Sequence, residues 1–204
     1  PLQMTVTDHL GNQAFCPVEL VLQDNTNFCP DLVTEGKIRG KIITENNKIP
    51  KNTEVLFEGS EISGIKIINN MNGNFVMDSL PLNVSYTVTP SLNSDPLEGI
   101  STIDLIMIQR HILGLATFSS PYQVIAADVN DSKSVTAADL VELRKLILGI
   151  TERFPKVSSW VFADKSYPFT NIQQPFVYNN SKNTQILTSD IENFDFIAIK
   201  MGDV

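Results

Sequence analysis

Two stretches decide the fold of this chain: Gly99-Ile-Ser-Thr-Ile-Asp-Leu-Ile-Met-Ile-Gln-Arg-His-Ile-Leu-Gly-Leu115 and Ser134-Val-Thr-Ala-Ala-Asp-Leu-Val-Glu-Leu-Arg-Lys-Leu-Ile-Leu-Gly-Ile150. They align at a shift of 35 residues, so that Asp104 corresponds to Asp139. A match at one fixed spacing indicates a duplicated supersecondary unit. Each copy predicts a polar loop, then a helix, then a glycine that ends the helix.

Both copies predict an amphipathic helix, because apolar residues recur at i, i+3, i+7 and i+10. In the two copies these residues are Leu105, Ile108, Ile112 and Leu115, and Leu140, Leu143, Ile147 and Ile150. Ser101 and Thr136 are the expected N-caps, each with an aspartate three residues later. Gly114 and Gly149 are the expected residues after the C-caps. Neither helix can bury its apolar face alone, so we expect the two to pack on each other.

The loop before the second helix, Asp128–Asp139, has oxygen ligands at the spacing of a calcium loop. Positions 1, 3, 5, 7, 9 and 12 are Asp128, Asn130, Ser132, Ser134 (through its carbonyl), Thr136 and Asp139. Ca²⁺ takes six to eight oxygens, and this is the EF-hand order of ligands. Lys133 stands at position 6, where glycine is usual, so a left-handed backbone there has a steric cost. The alternative is a plain capping box without a metal ion.

The equivalent first loop, Asn93–Asp104, is a weaker match. Its possible ligands are Asn93, Asp95, the Gly99 carbonyl, Ser101 and Asp104. Leu97 stands at position 5 and cannot bind a metal. The end of the sequence, Gly202-Asp203-Val204, repeats the pattern Ala127-Asp128-Val129. Either a further loop starts there, or Asp203 reaches back to complete the first loop.

Two loop–helix copies with aspartate at position 12, Val or Ile at position 8 and Leu-Gly at the helix end resemble a type I dockerin module, here over residues 92–153. The resemblance implies that each loop binds one Ca²⁺ through the residues given above. It also implies that loop positions 10 and 11 contact a protein partner, a cohesin. These positions are Thr102, Ile103, Ala137 and Ala138. The two pairs differ, which argues against a symmetric, two-way binding mode.

Residues 34–91 predict a β-sandwich of short strands separated by turns. The predicted strands are 37–44, 53–58, 62–68, 74–77 and 84–89, and Asn72-Gly73 predicts a hairpin turn. Their order resembles the small prealbumin-like repeats of the carboxypeptidase-regulatory and Cna-B types. Such a resemblance implies a stalk or a spacer.

Residues 1–33 resemble the last two strands of an immunoglobulin-like module, present as a fragment. Leu2–Asp8 and Phe15–Leu22 predict a hairpin around a turn. An incomplete sheet either pairs with another chain by strand addition or packs on its own chain. Cys16 either forms a disulfide with Cys29 or stays free.

Residues 154–204 predict a C-terminal β segment that packs on the dockerin-like module, with strands at 158–163 and 195–200. Four aromatic residues in this segment form either a sugar-binding platform or ordinary packing contacts: Tyr167, Phe169, Phe176 and Tyr178. The order of all four parts resembles the C-terminal parts of large secreted bacterial surface proteins. We therefore expect the chain to be a fragment of a longer protein.

Composition and motifs exclude several classes of function. With 15 basic against 23 acidic residues, the net charge of −8 argues against nucleic-acid binding. No apolar run approaches 18 residues, so we expect no membrane span. Nucleophile, phosphate-loop and dinucleotide motifs are absent from the sequence, and His9 and His111 have no ligands at zinc spacing. We expect no enzyme.

The expected fold is mostly β with a two-helix insertion: an immunoglobulin- or prealbumin-like sandwich, a dockerin-like calcium module and a C-terminal β segment. The expected function is a non-catalytic, extracellular, calcium-stabilised structural or protein-interaction region of a bacterial surface protein, in assembly or adhesion. Its partner is a cohesin-like module, a neighbouring domain or an identical subunit. Two alternatives stay open: a filament subunit that assembles by β-strand addition, and a carbohydrate-binding accessory domain.

Overall fold

The computed structural model describes residues 2–18, 34–60, 62–68 and 72–204. The chain divides into two compact units, Pro1–Val33 and Thr34–Val204. In the first unit, β1 (Leu2–Thr7) and β2 (Gln13–Val18) form an antiparallel hairpin, as predicted. Its immunoglobulin-like origin stays a prediction. The possible Cys16–Cys29 disulfide cannot be judged, because Cys29 lies outside the described residues.

The described residues of the second unit form eight strands and three helices. The strands are β3 (Glu35–Ile43), β4 (Thr53–Glu58), β5 (Ser63–Ile68), β6 (Asn74–Pro81), β7 (Thr87–Ser91), β8 (Trp160–Asp164), β9 (Lys182–Asn183) and β10 (Phe196–Lys200). The helices are α1 (Thr102–Ile112), α2 (Pro121–Ala127) and α3 (Ala137–Ile147). Two four-stranded sheets have the orders β6-β3-β10-β8 and β5-β4-β7-β9.

The two sheets share one hydrophobic core. Its fully buried side chains come from both sheets and include Ile38, Leu80 and Phe196 from one and Val55 and Val88 from the other. The assignment of this arrangement to the immunoglobulin- or prealbumin-like kind stays a prediction. The sequence did not predict that β9, a strand of only two residues, pairs with β7.

Strand β10 joins the sheets to the helices. It lies between β3, to which it is parallel, and β8, to which it is antiparallel. All five of its residues are buried. Side chains alternate between the two faces of a strand, and accordingly Phe196 and Ala198 face the core between the sheets, whereas Ile197 and Ile199 face a second core formed with the helices. The segment 154–204 thus packs on the helical module and also completes both sheets.

Both duplicated helices begin and end as predicted. Ser101 and Thr136 are N-caps with complete capping boxes. Gly114 and Gly149 each have φ of 67°, a left-handed conformation in which glycine carries no steric penalty. Helices α1 and α3 contribute Ile108, Leu143 and Leu146 to the second core.

The expectation of only two helices was wrong, because α2 lies between them. Ser120 is its N-cap and Pro121 its first residue, a known signal for a helix start. With seven residues the helix is too short for a periodic apolar pattern to be recognised. Its last four residues, 124–127, are buried in the second core. Among the described residues, no helix is long and apolar enough to cross a membrane.

Candidate metal centre

The second loop brings its position 1, 5 and 7 oxygens together. Asp128 is 4% exposed, and its two carboxylate oxygens accept the backbone N–H groups of Ser132 and Lys133, each at 2.8 Å. The Ser132 hydroxyl lies 3.4 Å from Asp128 Oδ1 and 3.0 Å from the Ser134 carbonyl oxygen. Three oxygens that the EF-hand pattern assigns to one cation therefore occupy one side of the loop.

Asp139 closes the loop from the start of α3. Its side chain is fully buried, and Oδ2 accepts the N–H of Thr136 at 2.8 Å. Oδ1 accepts the backbone N–H of Asn130 at 3.2 Å. The carboxylate at position 12 is thereby fixed beside position 3.

The side-chain oxygen of Asn130 is buried, and within the described part of the chain it has no hydrogen-bond partner. A buried acceptor without a partner costs roughly 1–3 kcal/mol. Asn130 occupies position 3 of the loop, where a calcium ion takes an oxygen ligand. The residues of the second loop therefore fit a hard cation, which would supply the missing partner.

The backbone of the second loop is strained at two positions. Asp131 and Lys133, at positions 4 and 6, have φ of 56° and 61°. This left-handed conformation is costly for side chains other than glycine, as the sequence predicted for Lys133. The two side chains form an exposed ion pair with each other, so neither charge enters the loop.

The charges around the second loop favour a cation. Burial raises the pKa of Asp139, and the neighbouring charge of Asp128 raises it further, while hydrogen bonds from Thr136 and Asn130 oppose both effects. Burial raises the pKa of Tyr178 to about 12, with contributions from the carboxylates of Asp131 and Asp128. Excess negative charge in a partly dry site is stabilised by a bound cation.

The first loop is built differently. Asn93 and Asp95 are exposed, and Asp95 Oδ1 accepts the N–H of Leu97 within a local turn. Lys200, at the end of β10, is 5% exposed and donates its ammonium hydrogens to the carbonyls of Asp95 (3.3 Å) and Pro96 (2.7 Å). Burial lowers the pKa of Lys200 to about 8. No motif in the sequence predicts a role for this lysine.

The other half of the first loop matches its counterpart. Asp104 is 4% exposed, and its Oδ2 accepts the N–H of Ser101 at 2.7 Å. Its Oδ1 accepts the backbone N–H of Val204 at 3.0 Å. A β-carbon built on Gly99 would lie 2.6 Å from Asp203 Oδ2, so this carboxylate packs directly against the Gly99 backbone. Burial raises the pKa of Asp203 and the charge of Asp104 raises it further, while the charges of Lys48 and Lys200 oppose both effects.

Acidic side chains are few at both loops. Across the described ranges of the chain, no group of three His, Cys, Asp or Glu side chains is arranged to hold a metal ion. The second loop is not such a group, because it offers two carboxylates together with amide, hydroxyl and carbonyl oxygens. Ca²⁺ accepts all of these oxygens.

The residues at loop positions 10 and 11 are exposed at the start of α1 and α3: Thr102, Ile103, Ala137 and Ala138. Further exposed apolar residues recur at the 35-residue spacing. These pairs are Ile106 and Val141, Leu113 and Leu148, and Leu115 and Ile150. The helical periodicity predicts Leu115 and Ile150 on the buried faces; this prediction is wrong, because each residue follows the glycine that ends its helix.

The four aromatic residues of the C-terminal segment are partly buried. Phe169, Phe176 and Tyr178 pack against the second core, and Tyr167 contacts the edge of the Phe169 ring at 5.0 Å between centroids. This arrangement favours packing over a sugar-binding platform. Trp160 also has an internal partner, because its Nε1 donates to the Ser94 hydroxyl at 2.9 Å.

Comparison with known proteins found one family. The family model described as the dockerin type I domain matches residues 98–148, which include α1, α2, the second loop and α3. The chain is similar to this family over that region, in agreement with the predicted dockerin-like module. Dockerin domains are calcium-binding, non-catalytic protein-interaction modules. A search of curated proteins and a search of solved structures each gave no match.

Proposed function

We propose that residues 92–153 form a calcium-stabilised, non-catalytic module that binds a protein partner. The module belongs to an extracellular region of a larger bacterial surface protein and serves assembly or adhesion. The observation that carries the proposal is the buried Asn130 Oδ1, which has no partner within the described residues, in a residue whose backbone N–H bonds to the fixed carboxylate of Asp139. Calcium at the second loop would satisfy this oxygen and offset the paired negative charges.

The extracellular setting suits such a loop. With only two carboxylates, Asp128 and Asp139, among its ligands, the loop is expected to bind calcium weakly, because affinity depends on the number of charged ligands. Extracellular calcium modules work with dissociation constants of about 10⁻⁴–10⁻³ M. An imperfect loop is therefore still filled outside the cell, and calcium bound only to the folded state adds to its stability.

The partner surface is the exposed side of α1 and α3. Ile103 is 64% exposed, and Ile106 and Val141 are 55% and 47% exposed at equivalent positions of the two copies. Single exposed apolar residues are common on any surface, but their recurrence in both copies supports a shared role in recognition. A cohesin-like module is the partner that this surface and the family similarity favour. Thr102, Ile103, Ala137 and Ala138 are the proposed contact residues.

Thermal unfolding with calcium and with EDTA tests the calcium claim. Wild-type protein is expected to lose several degrees in melting temperature when calcium is removed, and Asp139→Asn is expected to lose the part of this response that the second loop contributes. Asp131→Asn is the matched control, because it removes one carboxylate from the same loop at position 4, which is not a ligand position of the pattern and whose exposed side chain pairs with Lys133. Equal melting curves of the wild type with and without calcium would refute the proposal.

A further inference from the structure

We infer that the first calcium position is assembled from two distant parts of the chain. Asp203 and Val204 take the position that the first residues of the loop, beginning at Asp128, have in the second copy. Residues 99–104 supply the remaining ligands. The Asn93–Glu98 half of the first loop is not part of the site. This inference rests on the proposed calcium function and changes which residues carry it.

The Asn93–Glu98 half cannot adopt the shape of its counterpart. Position 4 of the second loop, Asp131, has φ of 56°. Position 4 of the first loop is Pro96, whose ring fixes φ near −65°, so the same backbone path is closed to it. Leu97 at position 5 also has no oxygen in its side chain. Asn93 and Asp95 accordingly remain exposed.

This half of the loop is instead fastened to the sheet. The buried ammonium of Lys200 bonds to two carbonyl oxygens, those of Asp95 and Pro96. The indole of Trp160 donates to Ser94 from β8, the strand next to β10. The carbonyls of Asp95 and Pro96 therefore bind the Lys200 ammonium and not a metal ion, and the segment has a structural role.

The C-terminal segment fills the position left open. Val204 donates its backbone N–H to Asp104 Oδ1 at 3.0 Å, as Asn130 donates to Asp139 Oδ1 at 3.2 Å in the second copy. The position 12 carboxylate thus receives a backbone N–H in both copies, once from position 3 of its own loop and once from Val204, which aligns with position 2 and lies 100 residues away.

Gly99 makes room for this arrangement. It has φ of 82°, and a β-carbon there would lie 2.6 Å from Asp203 Oδ2. Gly202, which precedes Asp203 in the chain, donates its N–H to the Ala126 carbonyl at 2.8 Å. This bond places the C-terminal segment beside α2. Gly202 has φ of 89°, a conformation that disfavours residues with a β-carbon, and its neighbours Ile100, Leu143 and Phe154 pack closely against it.

The oxygens gathered by this arrangement suit calcium. They are the Asp203 carboxylate, which packs against Gly99, and the Asp104 carboxylate with the Ser101 hydroxyl bonded to it at 3.0 Å. The loop pattern adds the Gly99 carbonyl at position 7, and all of these are hard donors of the kind that Ca²⁺ prefers. The sequence Gly202-Asp203-Val204 also repeats Ala127-Asp128-Val129, in which Asp128 is position 1 of the second loop. Asp203 therefore corresponds to the first ligand of a loop that is interrupted in the chain.

Counting bound calcium in native mass spectra, with calcium titration calorimetry alongside, tests the inference. Wild-type protein is expected to bind two ions and Asp203→Asn one. Asp95→Asn is the matched variant, because it removes a carboxylate from the contiguous first loop, and it is expected to keep both ions. Gly99→Ala is an independent variant that is expected to lose the same ion as Asp203→Asn, because its methyl group collides with the Asp203 carboxylate.

Two results would overturn the inference. One is loss of an ion from Asp95→Asn while Asp203→Asn keeps two, which would assign the site to the contiguous loop. The other is a wild type that binds one ion and keeps it in Asp203→Asn and Gly99→Ala. In that case the proposed function survives, since the remaining ion is expected to disappear in Asp139→Asn. A wild type that binds no calcium would refute both proposals.

Discussion

The carboxylate of Asp104 accepts the backbone N–H of Val204 at 3.0 Å, although the two residues are 100 positions apart. Asp104 belongs to the first turn of α1, and Val204 follows the central strand β10. This contact therefore links the start of the duplicated unit to the end of the described chain. It also replaces a contact that the second copy makes within its own loop, from Asn130 to Asp139.

Removing the N–H of Val204 tests the contribution of this contact. Val204→Pro removes the backbone donor at this position. Val204→Ala is the control, because it keeps the donor and also replaces valine by a smaller residue. A hydrogen bond to a charged group contributes about 1.5–3 kcal/mol, so we expect the proline variant to be less stable than the alanine variant by about that amount. Chemical denaturation measures the difference. Equal free energies of unfolding would show that the contact contributes nothing.

Replacing Lys200 tests whether this lysine holds the Asn93–Glu98 half of the first loop. In Lys200→Met the carbonyls of Asp95 and Pro96 lose their buried donor. We expect faster hydrogen exchange at the amides of Leu97, Glu98 and Ile100, which close the turns of this segment.

The control for that experiment is Lys165→Met, because Lys165 is an exposed lysine paired with Asp195 elsewhere on the surface. Exchange at residues 97–100 should not change in this variant. Unchanged exchange in Lys200→Met as well would contradict the anchoring role of Lys200.

His111 predicts a dependence of stability on pH. Its Nδ1 accepts the N–H of Phe118 at 3.0 Å, and its ring stacks on that of Phe118 at 4.4 Å. Burial lowers the pKa of His111 in the folded protein, whereas the unfolded value is about 6.5. The folded state therefore binds the proton less well, and its stability should be complete above about pH 6.5 and fall as the pH drops further.

Unfolding free energies between about pH 8 and pH 5 at constant calcium, in wild type and His111→Asn, measure this effect. Asparagine keeps a hydrogen-bond acceptor but has no titration in this range. The difference in stability between the two proteins should change below about pH 6.5, with the wild type losing more. A difference that is constant across the range would exclude His111 as the cause.

Because the side chains of β10 enter both hydrophobic cores, we expect the sheets and the helices to unfold together. Loss of either core exposes the same strand. Fluorescence of Trp160, the one tryptophan of the chain, and far-UV circular dichroism should therefore give coincident transitions. Ile199→Ala should lower the stability by about 2–5 kcal/mol and shift both transitions equally. Two separate transitions would contradict this coupling.

Local signals in the sequence were sufficient for the two duplicated helices and for most of the strands, but not for α2 and β9. The caps Ser101 and Thr136 and the glycines 114 and 149 marked both helices, because capping and left-handed conformations depend on neighbouring residues. Strand β4 has the predicted bounds for the same reason. Long-range pairing was not predicted, because nothing local specifies that β10 lies between β3 and β8. The uninterrupted apolar run Phe196–Ile199 was the available signal, because consecutive apolar residues are typical of a strand that is buried on both faces.

The site was predictable to a similar extent. The spacing within Asp128–Asp139 identified oxygens that lie on one side of the second loop, because this loop is continuous in the chain. The same spacing selected Asn93 and Asp95, which are exposed, and the 35-residue alignment alone did not reveal the difference. Pro96 was the overlooked signal, because it excludes the backbone that Asp131 adopts at the same position. Lys200 gave no signal, since its partners are backbone carbonyls distant in sequence.

Crystals grown with calcium show directly whether the second loop binds an ion, because anomalous scattering locates calcium. We expect an ion about 2.3–2.6 Å from Asn130 Oδ1, with Asp128 and Asp139 among its other ligands. A well-ordered second loop in which Asn130 Oδ1 bonds to water or to protein donors, without an ion at millimolar calcium, would contradict this expectation.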